Sequence, residues 1–497
     1  MKLSSKPLLK ISALLITAGI VQHTHAAIDD LSGEFANEIE RKSADALLAT
    51  YDDLIANSGC AEFSSNGGDC TGKTLTLFNH MRQILHTAND ITNGRGQTED
   101  STELSLIPDI VSRDPNGSND EAFFIRELGK FLRWNSGEEY AAHGSMSRDF
   151  VQGQTSGLSA RLSTLRMEAN LLTNTTYNTY ALTDQTTGGG AGDSDSFSRW
   201  SGFLNYTQGS GTKAPTGLED AFDVDSSEIT AGVDYRIDNN WVAGVVVGYS
   251  NQSLDFDSNK SIVDGGVDSD GYSLLPFILF QDDHFYMSFS GGYQALTFDT
   301  IRSIHYGYGI LDADNSSSTD STNTTFASEL GYSFLAGGWT IEPYYKNNYV
   351  NTSIDAFTEK DLSDEALNLA VDEQKFSSMT HALGLKLQYV FSTGFGVIVP
   401  FASYQANNER HTGNTAIAAR FANASSSDAT FAMSTDKSDE NYTVASLGVS
   451  SVIRGSRQTT ADSAASGGVQ VFVSYRTLRN LDNYDFDSYA LGVRYEF

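Results

Sequence analysis

From about residue 197 onward, apolar and polar positions alternate with a period of two. In the last eleven residues, Tyr489, Leu491, Val493, Tyr495 and Phe497 share one face, and Ser488, Ala490, Gly492, Arg494 and Glu496 share the other. Side chains of a strand alternate faces, so the chain ends as a strand with one apolar face and one small or charged face, closed by an aromatic residue. The pattern recurs upstream. Ile229, Ala231, Val233, Tyr235 and Ile237 oppose Thr230, Gly232, Asp234 and Arg236; Leu383, Leu385, Leu387, Tyr389 and Phe391 oppose Gly384, Lys386, Gln388 and Val390. Val469, Val471, Val473 and Tyr475 oppose Gln470, Ser474 and Arg476, with Phe472 as the exception on the inner face.

The alternation predicts twelve strands: Ser198–Gln208, Glu228–Ile237, Trp241–Phe256, Asp270–Phe280, His284–Thr300, Asn323–Leu335, Trp339–Thr352, Met379–Phe391, Phe395–Asn408, Tyr442–Ile453, Val469–Thr477 and Phe486–Phe497. Short connections at 238–240, 281–283, 337–338 and 393–394 alternate with long ones at 209–227, 257–269, 301–322, 353–378 and 409–441; the long 454–468 connection breaks the rhythm. An even strand count, short turns at one end, long loops at the other and aromatic residues near strand ends (Trp241, Tyr249, Tyr306, Tyr389, Tyr495) describe a transmembrane barrel. Beyond the N-terminal leader, no apolar run approaches the roughly 18 residues of a spanning helix. A chain that enters lipid without one must close its ladder.

Before Gly188-Gly189-Gly190 the period becomes helical. Ile28, Leu31, Phe35, Ile39, Leu47, Tyr51, Leu54 and Ile55 recur at helical spacing; Leu77, Phe78, Met81, Ile84 and Leu85 make a second face, and Phe123, Phe124, Leu128, Phe131 and Leu132 a third. The stretch from Ser136 to Leu172 is helical but slim, with Gly144, Ser145, Ser147, Gly153, Ser156, Gly157, Ser159 and Ala160 around Leu158, Leu162 and Leu165. A helix of small residues fits the lumen of a twelve-stranded barrel. Its Arg161 and Arg166 are expected to pair with lumen carboxylates such as Asp234 and Glu342. Arg236, Lys386, Arg476 and Arg494 are further lumen-facing candidates. The expected architecture is mainly β: a 12-stranded antiparallel transmembrane β-barrel with a pore-spanning helix, preceded by a small α-helical domain.

The N-terminus reads as a secretory signal: Lys2, Lys6 and Lys10, an apolar Ile11–Val21, and Thr24-His25-Ala26 as the cleavage site. The expected divisions are therefore 1–26 signal peptide, 27–135 helical domain, 136–196 pore helix and linker, and 197–497 barrel. The net charge of -31 argues against nucleic-acid binding. Cys60 and Cys70 are the only cysteines, and in an exported chain they favour a disulfide worth about 2–3 kcal/mol on the chain-entropy model.

These residues resemble a known family. Glu228–Tyr249, Asp268–Leu274, His284–Tyr293, Ala382–Ser392 and Tyr475–Phe497 are similar to the translocator domain of classical (type Va) autotransporters, and Leu158–Arg166 resembles their pore helix. The resemblance implies a barrel in the bacterial outer membrane, reached through Sec export and the periplasm, that carries its own N-terminal passenger, here residues 27–135, to the cell surface. It implies Tyr495 and Phe497 as the signal read by the barrel-assembly machinery, with periplasmic chaperones, outer-membrane lipid and lipopolysaccharide as further partners and an unidentified extracellular ligand for the passenger. The passenger is expected to act as a binding or surface-structure module and to stay attached, since the pore segment has no Asn-Asn pair and Asn170 and Asn174 are cleavage candidates by position only. The rival readings are a membrane-anchored, esterase-like surface enzyme and a channel-forming porin.

No catalytic constellation, cofactor motif or metal site is expected. Gly192-Asp193-Ser194 resembles the start of an esterase block, but Asp195 follows it and it lies in the linker. Asp268-Ser269-Asp270-Gly271 lacks the first and last ligands of a calcium loop. His80 and His86 sit six apart, off a common helix face, and are expected to be exposed.

Overall fold

The computed structural model describes residues 28–497 except 63–67, 95–103, 115–119, 174–198, 257–260, 283, 307–308, 394–395, 414–415, 426–428, 438 and 455–466. The expected signal peptide, the expected linker at Gly188–Gly190, the Gly192–Ser194 block and most of the 454–468 connection thus lie outside the described residues. Helices α1 (Glu38–Asn57), α2 (Gly72–Thr92), α3 (Ile107–Arg113), α4 (Glu121–Trp134) and α5 (Ala141–Thr173) precede the sheet. Twelve long strands follow: β1 (Trp200–Lys213), β2 (Phe222–Arg236), β3 (Trp241–Phe256), β4 (Asp264–Gln281), β5 (Phe285–Tyr306), β6 (Leu311–Tyr332), β7 (Trp339–Ile354), β8 (Gln374–Tyr389), β9 (Gly396–Gly413), β10 (Asn441–Arg454), β11 (Val469–Arg479) and β12 (Tyr484–Glu496).

Each strand pairs antiparallel with its neighbours, and β1 pairs β12 from Ser201↔Glu496 to Lys213↔Tyr484, which closes the sheet into a barrel. The Phe497 N–H donates to the Trp200 carbonyl at 3.1 Å, so the last residue is part of the seam. The alternating apolar residues face outward: Leu383 is 69% exposed and Tyr489 64%. Aromatic pairs mark two levels on this outer face. Trp200–Tyr235, Trp241–Phe280, Trp339–Tyr389 and Tyr495–Phe497 ring the short-turn end, while Tyr249–Tyr272 and Tyr475–Tyr489 lie higher. Trp241 and Tyr249 are eight residues apart on β3, as are Tyr272 and Phe280 on β4. At about 3.3 Å per residue this is roughly 26 Å of strand, close to the height of an outer-membrane apolar band.

Above the upper level the structure departs from the sequence reading. Residues 301–322, expected as a loop, are mostly strand, because β5 and β6 run for 22 residues each. Outside lipid, the outward Ser318, Asp320 and Thr322 are exposed and the inward Asn315, Ser317, Thr319 and Ser321 are buried. Pairing continues there with no apolar face to reveal it. Tyr306, expected in the aromatic girdle, is 2% exposed at the top of β5 and packs on Phe131 with ring centroids 4.5 Å apart. The 353–378 and 409–441 loops contribute a second, four-stranded sheet from Phe357–Thr358, Leu369–Val371, Ala416–Phe421 and Phe431–Ser434. Asp268 and Asp270 lie within β4, and Asp268 accepts from Ser253 on β3 at 2.7 Å.

The N-terminal helices form where periodicity placed them. Asn37 caps α1 by accepting from the Glu40 N–H at 3.0 Å, and Asp120 caps α4 by accepting from the Phe123 N–H at 2.7 Å. Tyr51 of α1 stacks on Phe78 of α2. Cys60 and Cys70 are disulfide-bonded and buried. His80 and His86 are not open to solvent as expected. Glu365, from an outer loop of the barrel, reaches His80 at 2.9 Å, and Glu62 reaches His86 at 2.7 Å. Helix spacing registers neither contact, because both partners come from outside α2. The helical core is continuous with Tyr306, Leu369, Val371, Phe421 and Met433 of the barrel's outer end.

Deleting Phe497 removes the last hydrogen bond of the seam and the ring that lies over Gly202. The fraction of chain recovered as folded, heat-modifiable barrel is expected to fall several-fold, with unchanged synthesis, when outer membranes are run unheated on a denaturing gel.

Candidate functional site

The candidate functional site is the barrel lumen and the helix inside it. At about 1.5 Å per residue, the 33 residues of α5 extend about 50 Å, more than the roughly 30 Å hydrocarbon core. The helix enters from the long-loop end below a short turn, Glu138–Tyr140. It leads toward β1, which starts at the short-turn end.

Small residues set how α5 seats itself. Gly153 and Gly157 face Glu228 and Thr230 of β2, and a methyl group at either glycine would collide with those side chains. Gln154 accepts from Ser273 of β4 at 2.7 Å. Leu158, Leu162 and Leu165 are buried with Val246, Leu275 and Phe277 on the lumen wall. The helix therefore leans on the β2–β5 wall.

Arg161 is the polar anchor. Its Nε and Nη2 donate to Asp234 Oδ2 at 2.8 and 2.6 Å, and Nη2 also donates to Ser201 Oγ at 2.8 Å. Ser201 in turn donates to the other Asp234 oxygen at 2.6 Å. The Arg161–Asp234 pairing read from the sequence is thus present. Arg166 differs: it pairs with Glu329 at 3.2 Å and lies 3.9 Å from the centroid of the Tyr286 ring, not on Glu342. Glu329 sits opposite Lys346 in the β6–β7 register, and Glu342 lies four residues nearer the short-turn end of β7. There Glu342 accepts from Ser333 at 2.9 Å and Gln388 at 3.0 Å.

The other lumen candidates also point inward. Arg236 is buried, Lys386 donates to Ser163 of α5, and Arg494 contacts Glu496 at 2.8 Å and Ser201. Lys386 and Arg476 line a cavity of about 310 Å³ that runs beside α5 along Gln405, Asn407 and Tyr442. Sequence reasoning missed Glu228, Glu329 and Lys346. Each is an inward charged residue of its strand, a signal that alternation supplies once the inward faces of β2, β6 and β7 are assigned.

At the outer mouth, charged groups join helix, loops and barrel. Arg133 pairs with Glu138 at 3.2 Å and Asp220 at 3.1 Å, and Asp220 accepts from the N–H groups of Ile262 and Val263. Among the described residues, neither buried carboxylate oxygen of Glu139 has a hydrogen-bond partner. Burial pushes the Glu139 carboxyl up to about 8, against the pull of Arg302.

Truncating Asp234 to Ala leaves the Arg161 charge buried and is expected to cost about 3–5 kcal/mol. The temperature at which the barrel loses its folded gel mobility should fall, and Arg161→Asp with Asp234→Arg should recover part of it. Glu139 gives a pH prediction. Its unfolded pKa is about 4.3, so the folded state holds an extra proton between there and about 8. The Glu139 contribution is therefore full below about pH 4.3 and is lost as pH rises toward 8. Glu139→Gln should slow protease cleavage of the helical segment at pH 8 and leave it unchanged at pH 4.

The chain has relatives among known proteins. The chain is 26% identical over 216 residues to Esterase EstA of Pseudomonas aeruginosa, and equally to that of Pseudomonas putida; the match covers 41% of this chain and 31% of each relative. The chain thus spans about a third of the length of these curated relatives. Among solved structures, the translocator domain of autotransporter NalP from Neisseria meningitidis superposes with a TM-score of 0.47 at 17% identity, covering 72% of this chain and 97% of that one. Residues 202–462, more than half of the chain, match the family profile described as Autotransporter beta-domain, and the chain belongs to that family of outer-membrane autotransporters.

Proposed function

We propose that the barrel holds the helical segment, residues 28–135, at the cell surface as a permanently attached module for binding or surface structure, without catalysis of its own. The observation that carries this reading is the path of the chain. The Glu138–Tyr140 turn joins α4 to α5, and α5 descends the lumen anchored by Arg161 to Asp234 and by Arg166 to Glu329. The segment before α5 is left on the long-loop side. Outer-membrane lipid and lipopolysaccharide around the apolar belt, the barrel-assembly machinery and periplasmic chaperones are the partners this reading implies. The module's extracellular ligand is a further partner.

The second reading is a surface esterase. It is favoured by the similarity to proteins named Esterase EstA, which covers less than half of this chain. On this reading whole cells hydrolyse short-chain esters, and one substitution in the helical segment abolishes hydrolysis while display persists.

Protease shaving of intact cells tests the main reading. Cuts are expected in the long-loop end and the helical segment, with the Asp238–Asn240 and Gly337-Gly338 turns protected until the membrane is opened. Protection of the helical segment in intact cells, with cleavage only after permeabilisation, would place it in the periplasm and overturn the proposal.

A further inference from the structure

The outer loops of the barrel make more contact with the helical segment than a tether requires. Arg302 of β5 shows this best. Its guanidinium is fully buried and donates to both oxygens of Glu359 at 2.7 Å, to the Trp134 carbonyl at 3.0 Å and to the Leu367 carbonyl at 2.8 Å. One side chain therefore binds a barrel strand, an outer loop and the last residue of α4 together.

The remaining long loops also take part. Trp134 Nε1 donates to the Ile262 carbonyl at 2.7 Å, and Asn135 donates to the Tyr306 hydroxyl at 2.8 Å. The Ser425 N–H and hydroxyl both donate to Asp53 of α1, at 2.7 and 3.0 Å. Asp220, before β2, pairs with Arg133 at 3.1 Å. The fit is also steric. Gly137, in the left-handed region with φ of 70°, lies so close to Leu369 and Met433 that any side chain would strike them.

On the loop side, Leu367, Leu369 and Phe421 are each at most 1% exposed, and all three belong to the same core as the helices. Among the described residues, every exposed large hydrophobic lies from Trp200 onward, so the apolar faces of α1 to α4 are already covered. Short helices are marginal alone and gain their stability from packing an apolar face, and here part of that packing belongs to the barrel.

We infer that the long outer loops are an intramolecular binding surface for the helical segment: residues 28–135 complete their core on these loops and form a cap seated on the barrel mouth, not a self-contained module swinging on a tether. This rests on the surface location proposed above and adds to it a partner, the barrel's own outer end.

Two measurements on the full-length chain test the cap. The first places Asp53→Cys with Ser425→Cys and adds a short bis-maleimide to intact cells. Docking predicts that most surface chains become internally cross-linked; two cysteines that each react with a monofunctional maleimide but do not cross-link would overturn the proposal. The second combines Leu369→Asp with Phe421→Asp. Cleavage between residues 28 and 135 should accelerate at least tenfold in chains whose barrel is still heat-modifiable, and an unchanged rate in such chains would also overturn it. If the double variant yields no folded barrel, the cross-link alone decides. A helical segment unreachable by any surface reagent contradicts the surface location, whereas a reachable but unlinked one contradicts only the cap.

Discussion

Closure of the β1–β12 seam is the constraint on which the rest of the structure depends. In hydrocarbon each unpaired backbone group costs several kcal/mol, so the strand that begins at Trp200 and the strand that ends before Phe497 must find each other. Their register runs without interruption from Ser201↔Glu496 to Lys213↔Tyr484. Closing twelve strands leaves an interior too wide for strand side chains alone to fill, because eight strands already leave room for them. That space is taken on one side by α5. Small residues at 153 and 157 let the helix backbone approach β2, and a cavity lined by Ser403, Ser446 and Ser474 remains beside the opposite wall.

The helix transmits this constraint to the N-terminal residues. Once Arg161 and Arg166 hold α5 at one depth, the Glu138–Tyr140 turn is held at the mouth and α4 directly above it. The long hairpin of β5 and β6 rises beside it, and Tyr306 meets Phe131 and Trp134. The helical segment is therefore positioned from below by the pore helix and from the side by the barrel wall.

What could be read from the sequence follows from where lipid lies. Inside the apolar band each strand must show an apolar face, so the membrane-crossing parts of all twelve strands and the seam were legible from alternation. Above the band the same strands face water on one side and a polar interior on the other. The Ser/Thr/Asn run from Asn315 to Thr325 gives no periodic signal there, which is why the upper ends of β5 and β6 read as a loop and Tyr306 as a girdle residue. Helix faces were legible for the same reason as strand faces, through burial at a fixed period. The covering of His80 by Glu365 was not, since it joins residues 285 apart through tertiary contact alone. The lumen pairs fall between these cases. Arg161 and Asp234 were each visible as an inward charge, but the choice between Glu329 and Glu342 for Arg166 depends on the vertical register of α5, which no local pattern encodes.

The buried charges have more to do with register than with stability. A buried ion pair adds little net stability over an apolar one of similar size, because desolvation offsets the attraction. An unpaired buried charge is costly, however, and this asymmetry penalises misplacement. Sliding α5 by one turn, about 5.4 Å, would carry Arg161 away from Asp234 and Ser201 and leave both ends unmatched in the lumen. Arg302 imposes the same penalty above the membrane, where Glu359, the Trp134 carbonyl and the Leu367 carbonyl must all meet it at once. Apolar packing in the helical core would tolerate a range of docked positions. The two arginines, one in the lumen and one under the helices, restrict that range to a single arrangement.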